Sequence, residues 1–154
     1  QNFFSYQDEG VNVPIITIET ILMAAVDSPE ILELVLRQPK IDVNMLSSVD
    51  HIRYDVPYNI LVDRIYHSEE SLNRVFVDYE VKEIVSRLKQ TLLHYATENN
   101  MIDIVKDLLK HDDLVIHEKR VRGQIVNGTY QEKEETALEI AQSKGFTEIV
   151  ELLQ

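Results

Sequence analysis

Residues 91–96 read Thr-Leu-Leu-His-Tyr-Ala and residues 136–141 read Thr-Ala-Leu-Glu-Ile-Ala, so both follow the pattern T-x-L-x-x-A. The pair Ile-Val comes eight residues after the last alanine of each segment, and a pair of leucines follows it. A third copy, Thr-Ile-Leu-Met-Ala-Ala, occupies residues 20–25 and is followed by ILELVL at residues 31–36. Such self-similarity is typical of proteins built from repeated structural units.

Each copy predicts a pair of antiparallel helices. A threonine at a helix start accepts hydrogen bonds from unpaired backbone amides, and Glu139 is placed to complete a capping box with Thr136. The leucine and the final alanine of the pattern share one helical face, and alanine is small enough to let helices approach closely. Gly145 is expected to end a first helix in the left-handed conformation, and Asn100 occupies the matching place.

These motifs resemble ankyrin repeats, whose unit has about 33 residues and begins with T-P-L-H-x-A. The best matches are TLLHYA followed by IVKDLL, TALEIA followed by GFTEIVELL, and ETILMAAV followed by IDVN, so the resemblance covers residues 20–44 and 91–154. It implies an all-α fold, an ankyrin-repeat solenoid of stacked helix-turn-helix units with connecting β-hairpin loops, one of them lengthened. A short extended segment would precede the repeats. His94 stands at the family's histidine position, which implies a structural hydrogen bond within the stack.

The resemblance implies a single domain over residues 1–154, with repeats at approximately 20–52, 53–88, 89–133 and 134–154. Thr20 and Thr91 are 71 residues apart (91 − 20), which leaves room for a degenerate second repeat. Its helices are predicted near 56–62 and 69–77, with an extra helical turn at residues 80–89. The alternative places its second helix at residues 81–89.

The last two copies of the pattern are separated by an insertion. Thr91 and Thr136 are 45 residues apart (136 − 91), about twelve more than one repeat needs. The extra residues lie within 113–133, where Val, Ile and Tyr alternate with polar residues and either Arg122-Gly123 or Asn127-Gly128 is suited to a turn. We predict a lengthened β-hairpin that projects from the stack as a finger.

Composition argues against several classes of function. The chain has no cysteine and a formal net charge of −12, and such a surface repels the phosphates of nucleic acids. No apolar run is long enough to span a bilayer. The five histidines lack the spacing of a zinc site, and the four glycines form no phosphate-binding loop. We therefore expect no catalytic residues, no metal and no cofactor, in a monomeric cytoplasmic protein.

The resemblance implies a protein-protein interaction module that binds its partner on a concave face and at hairpin tips. A basic cluster of Lys119, Arg120 and Arg122 on the predicted finger is suited to an acidic partner, or else keeps an exposed strand soluble. Two alternatives stay open because residue 1 is not Met and Gln154 falls within a predicted helix. The chain would then be the targeting part of a larger enzyme, or a secreted effector of an intracellular microbe that acts in the host cytoplasm. The candidate partner-binding residues are Arg53, Asp55, Asp63, Arg64, Arg87, Gln90, Glu98, Asn99, Lys119, Arg120, Arg122, Glu132, Lys133, Glu135, Ser143 and Lys144.

Overall fold

The structure, a computed structural model, describes residues 11–54 and 81–154. Five strands and six helices lie in these two ranges. The strands are β1 (Val11–Ile18), β2 (Ser47–Tyr54), β3 (Val81–Gln90), β4 (Lys119–Val126) and β5 (Thr129–Thr136). The helices are α1 (Ile21–Ala24), α2 (Pro29–Leu36), α3 (Leu92–Glu98), α4 (Ile102–Leu109), α5 (Ala137–Lys144) and α6 (Thr147–Leu153).

The six helices form three pairs, one for each copy of the sequence pattern, as predicted. The threonine of each copy stands immediately before a first helix. The hydroxyl of Thr20 accepts a hydrogen bond from the amide of Met23 at 3.2 Å. At Thr136 the capping box is complete, because its hydroxyl accepts from the amide of Glu139 at 3.2 Å and its own amide donates to the Glu139 carboxylate at 2.8 Å.

The turns inside the second and third pairs have the same backbone geometry. Asn100 and Gly145 both adopt left-handed conformations, with φ of 55° and 73°. In each turn the following amide bonds back to the carbonyl of the pattern's last alanine. Met101 donates to Ala96 at 2.8 Å and Phe146 donates to Ala141 at 3.0 Å. The prediction that asparagine and glycine are equivalent here is confirmed.

One apolar core joins the three helix pairs. It contains buried leucines from all of them together with Ala96 and Ala141, both at 0% exposure. Asn44, in the loop after α2, links the first pair to the loop after α4. Its side-chain amide donates to the carbonyl of Asp113 at 2.8 Å and its side-chain oxygen accepts from the amide of Val115, also at 2.8 Å. Stacking therefore creates a core that no single helix pair has by itself.

The predicted all-α class is wrong, because β1, before the first helix pair, and the segments between the pairs build a five-stranded antiparallel sheet in the order β1-β2-β3-β4-β5. The described part of the chain is therefore mixed α and β. Helix pairs are present, but the described parts of the connections between them are long paired strands, where connecting β-hairpin loops, one of them lengthened, were expected.

The helical turn predicted at residues 80–89 is wrong, and so is the alternative helix at 81–89. Apolar residues at 81, 84, 85 and 88 follow the helical spacing i, i+3, i+4, i+7, yet this segment forms β3. It pairs with β2 from Val81 to Gln90 and with β4 through Ser86–Lys89, so the backbone of its second half is bonded from both edges. The helices predicted at 56–62 and 69–77 lie outside the described residues.

The hairpin predicted within residues 113–133 is confirmed, but it is not a separate finger. Asn127 and Gly128 form its turn with φ of 51° and 80°, as a two-residue type I′ connection requires. Strand β4 also pairs with β3 through Val121–Gln124, so the hairpin extends the sheet. Because side chains alternate between the two faces along β4, its place in the sheet directs Arg120 and Arg122 toward the helices and Lys119 away from them.

Candidate functional site

Arg120 is a buried cation at the junction of the sheet and the helices. Arg120 is only 2% exposed, and its guanidinium donates to both carboxylate oxygens of Glu98, at 2.8 and 3.2 Å. It also donates twice to Glu135, the residue opposite it on β5, at 3.0 and 2.7 Å, and once to Gln90 at 3.4 Å. The charge is thus shared between two carboxylates, which is the arrangement that a buried guanidinium requires.

The two carboxylates around Arg120 are held in their charged form. The hydrogen bond from Arg120 is the main reason that the pKa of Glu98 lies below its ordinary value. Burial acts to raise the pKa of Glu135, but the hydrogen bond and charge of Arg120, with help from Lys133, outweigh it and the pKa is lowered. Both pKa shifts stabilise the fold above the ordinary glutamate range, and this stabilisation is lost as the pH falls below it.

Three further basic side chains lie around the same carboxylates, and we call Arg122, Lys133 and Lys144 the inner cationic cluster. Arg122 donates to Glu98 at 2.9 Å, and Lys133 lies directly opposite it on β5 and contacts Glu135 at 3.3 Å. Lys144, at the end of α5, is close enough for its charge to lower the pKa of Glu98. The side chains of Arg122 and Lys133 are 41% and 73% exposed. The cluster is therefore open to solvent, whereas Arg120 beneath it is not.

An open groove lies beside this cluster, between the sheet and the first helices of two pairs. We call it the inner groove; its volume is about 370 Å³. Val49 and Leu88 line it from the sheet, and Met23 and Tyr95 line it from α1 and α3. Glu19 and Asp27 add negative charge at its α1 end. The sheet and the first helices thus form one inner surface, partly apolar and partly charged.

The other face of the sheet carries a polar row across four strands. Arg87 on β3 forms a bidentate pair with Asp50 on β2, at 3.0 and 3.1 Å. Gly123 is the next residue in the row, and because it has no side chain Arg87 reaches over it to Glu132 on β5 at 3.5 Å. The Tyr130 hydroxyl donates to Glu132 at 3.0 Å. A Cβ at Gly123 would overlap the Tyr130 ring, so glycine is required for this packing.

His94 connects its helix to the next hairpin. Its Nε2 lies 2.7 Å from the carbonyl of Glu118, so Nε2 carries the proton, and Nδ1 accepts from the amide of Thr91 at 3.0 Å. The residue is 1% exposed, and burial lowers the pKa of His94 below its ordinary value. The structural hydrogen bond that the resemblance implied for this histidine is therefore present.

Because the pKa of His94 is lowered by folding, stability should fall as the pH drops through the range where the unfolded histidine titrates, near 6.5. The unfolded chain takes up a proton there that the folded chain does not. We expect the melting temperature to fall by a few degrees between pH 7.5 and 5.5, above the range in which Glu98 and Glu135 titrate. Thermal melts of wild type, His94→Gln and the exposed control His117→Gln measure this.

The His94→Gln variant should be less stable at pH 7.5 but should lose most of the pH dependence, whereas His117→Gln should keep it. An unchanged pH slope in His94→Gln would show that other groups cause the loss.

A comparison with family models agrees with the geometry of the second and third helix pairs. The model described as "Ankyrin repeats (3 copies)" matches residues 64–154, which is more than half of the chain. The chain belongs to the ankyrin-repeat family. A search of curated proteins and a search of solved structures each found no match. Ankyrin repeats are in general protein-protein interaction modules and are typically not catalytic.

The predicted ankyrin contact residues fall into three groups in this structure. Exposed positions are Asn99, Lys119, Glu132, Lys133, Ser143 and Lys144, and partly exposed ones are Arg53, Arg87, Glu98 and Arg122. Buried positions are Gln90, Arg120 and Glu135. Asp55, Asp63 and Arg64 lie outside the described residues.

Ion pairs account for much of the charge among these residues. Arg53 pairs with Glu83, its neighbour on β3, at 3.1 Å, and Lys119 lies 4.0 Å from Glu134. The basic cluster predicted on the hairpin is therefore divided. Arg120 stabilises the interior, Arg122 points to the inner surface, and Lys119 lies on the other face of β4. Lys144 was among the predicted contact residues, but its position beside Glu98 depends on how α5 packs against α3 and does not follow from residue spacing.

In the described ranges 11–54 and 81–154, no three His, Asp or Glu side chains are grouped as a metal site would need. The helices in those ranges are too short to cross a membrane.

Proposed function

We propose that this ankyrin-repeat chain binds a partner protein over its inner surface, with an acidic segment of the partner against Arg122, Lys133 and Lys144. The observation that carries the proposal is the concentration of exposed cations at one place in a chain of net charge −12. A negatively charged segment approaching elsewhere on such a chain would be repelled on average, so the cluster also selects the orientation of docking.

The charges of this site support an acidic ligand even after internal pairing. The four cations Arg120, Arg122, Lys133 and Lys144 surround the two carboxylates of Glu98 and Glu135, so cations exceed carboxylates by two (4 − 2). Arg120 is buried and fully engaged with these carboxylates. The exposed cations are therefore the ones that a partner's carboxylates would meet.

The inner groove supplies the apolar part of the same interface. Leu88 and Tyr95 line it together with Val49 and Met23, and they lie on the inner surface between the cluster and α1. Interfaces of specific, reversible complexes usually combine a small apolar centre with a polar, charged rim. The inner surface has this composition, and the partner segment we propose carries both acidic and apolar residues.

The test is affinity capture with immobilised wild type, the double variant Lys133→Glu/Lys144→Glu and the control Lys40→Glu/Lys110→Glu. All four lysines are exposed and both variants change the net charge equally, while Lys110, like Lys144, lies at the end of a helix. We expect partners that wild type and the control retain and the cluster variant loses, at least tenfold by quantitative mass spectrometry. Melting temperatures should stay within about 4 °C of wild type.

Two results would count against the inner surface. One is a set of captured proteins that is the same for all three proteins, and the other is an equal loss in the control. Retention that does not weaken at high salt would also contradict a charged contact.

The other expectations from the sequence stay predictions. They are the single domain over residues 1–154, the repeat boundaries, the monomeric state, the cytoplasmic location and the two alternatives, part of a larger enzyme or a secreted effector.

A further inference from the structure

A second groove lies between the second helices of the first two described pairs, and we call it the outer groove. Its volume is about 730 Å³. Val26, Pro29 and Leu32 line it on the α2 side, and apolar residues of the turn before α4 and of α4 itself line it on the other. The two grooves share Val26 and Asp27, after α1, but the rest of the inner groove and the cationic cluster lie on the sheet and the first helices, so the floor of the outer groove between α2 and α4 is a different surface.

The rim of the outer groove is acidic. Five carboxylates line it and a single lysine, Lys106, is among the lining residues. That lysine lies 3.4 Å from one of the five, Glu148, and so joins α4 to α6. Of the remaining four, Glu33 pairs with Arg37 and Asp107 pairs with Lys110 at 3.2 Å, while Asp27 and Asp103 have no ion pair among the described residues. The rim therefore keeps an excess of two carboxylates over the cations that pair with it (5 − 3).

We propose that the outer groove binds a basic segment of a partner protein that carries aliphatic anchors, in helical form. The walls are two helices of eight residues, each about 12 Å long, so the groove has the length of two to three helical turns. A helix laid in a groove places aliphatic side chains on the floor and leaves lysines or arginines at its edges, where they meet the acidic rim. The apolar lining of the groove and the excess of carboxylates on its rim together select this class of ligand.

The gap between α2 and α4 provides the space for this partner segment. Between α4 and α6 the Lys106–Glu148 pair joins neighbouring second helices, whereas no ion pair among the described residues joins α2 to α4. Glu33 and Asp107 pair instead with Arg37 and Lys110, close to them in sequence. A basic segment would cover the apolar floor of this gap and meet the net negative charge of its rim, both of which favour binding. This inference does not depend on the inner surface being the site of another interaction.

The probe is a synthetic peptide of about twelve residues with lysine and leucine in an amphipathic helical pattern, acetylated, amidated and labelled with fluorescein. Its control has glutamine at every leucine and the same charge. We expect the leucine peptide to raise fluorescence anisotropy on binding at 0.15 M salt and the glutamine peptide to bind at least tenfold more weakly. Amide shifts in NMR spectra should be concentrated at residues 26–33 and 100–107.

The variant Glu33→Lys/Asp103→Lys is expected to weaken binding at least tenfold, and the neutral variant Glu33→Gln/Asp103→Asn should weaken it less, in the same direction. The control Asp112→Lys/Glu151→Lys changes two exposed residues outside the groove and alters the net charge of the protein by the same amount as Glu33→Lys/Asp103→Lys. It should change the affinity for the leucine peptide less than threefold. Four results would each overturn the proposal. Two concern the peptides: no binding of the leucine peptide, or equal affinity for the two peptides. The other two are equal losses of affinity in the two lysine variants and amide shifts centred on the inner surface. Loss of the inner-surface interaction in Lys133→Glu/Lys144→Glu has no bearing on this result, so the two proposals fail separately.

Discussion

Arg120→Met is expected to lower the free energy of unfolding by about 3 kcal/mol, and the melting temperature by about 6–12 °C, because it removes the cation shared by two carboxylates. Glu135 is buried and Glu98 is 20% exposed at its side chain, so neither is fully hydrated once Arg120 is gone. Arg122 and Lys133 still contact them, which keeps the expected loss at the lower end of the range for a broken buried pair. Urea unfolding monitored by circular dichroism measures the change.

The matched control is Arg122→Met, which makes the same chemical change two residues along the same strand. Its side chain is 41% exposed and it bonds only to Glu98 among the described residues, so we expect a loss below about 1 kcal/mol. The triple variant Arg120→Met/Glu98→Gln/Glu135→Gln should recover part of the stability, because no buried charge remains unpaired; Arg122 and Lys133 lose their carboxylate partners but are open to solvent. If Arg120→Met and Arg122→Met cost the same, Arg120 is not the centre of the network.

Ala141→Leu is expected to destabilise the protein by about 2 kcal/mol, since α5 packs against α3 and α6 at a residue with no exposed surface. Ala141 is also the residue whose carbonyl accepts the bond from Phe146 that shapes the turn into α6. A larger side chain must push the helices apart or leave its preferred rotamer. Both responses disturb the stack rather than one helix.

Gln142→Leu is the control for this substitution. It places the same leucine one residue along the same helix, at an exposed position, so we expect a change within about 0.5 kcal/mol. Equal destabilisation by the two leucines would mean that helix propensity or solubility, and not close packing at the alanine, explains the result. Chemical denaturation of both variants under identical conditions distinguishes these causes.

The helix pairs were predictable because their determinants are local. A capping threonine, a leucine and alanine on one face and a residue suited to the left-handed turn all act within about ten residues of each other. The equivalence of Asn100 and Gly145 is an example, since each is the residue type that tolerates positive φ. The type I′ turn at Asn127-Gly128 was among the predicted alternatives for the same reason.

The candidate site was only partly predictable. The basic residues of β4 were singled out, but alternation along the strand directs Arg120 and Arg122 toward the helices and Lys119 away from them. Arg120 and Arg122 both contact Glu98 at the end of α3, and only the packing of that helix on the sheet makes Arg120 the buried one. Lys144 joins the cluster through the packing of α5 on α3, a relationship between residues more than forty positions apart.

The sequence by itself determined the repeated helix pairs, their caps and turns, and the interior position of the leucines and alanines, because these follow from forces between near neighbours in the chain. Tertiary structure decided the sheet and the charge pattern on its faces. Residues 81–90 have the apolar spacing of an amphipathic helix, and they form a strand because β2 bonds to their backbone along one edge and β4 bonds to residues 86–89 along the other. Hydrogen bonds between distant strands leave no local periodicity, so no window along the chain contains the information that selects strand over helix there.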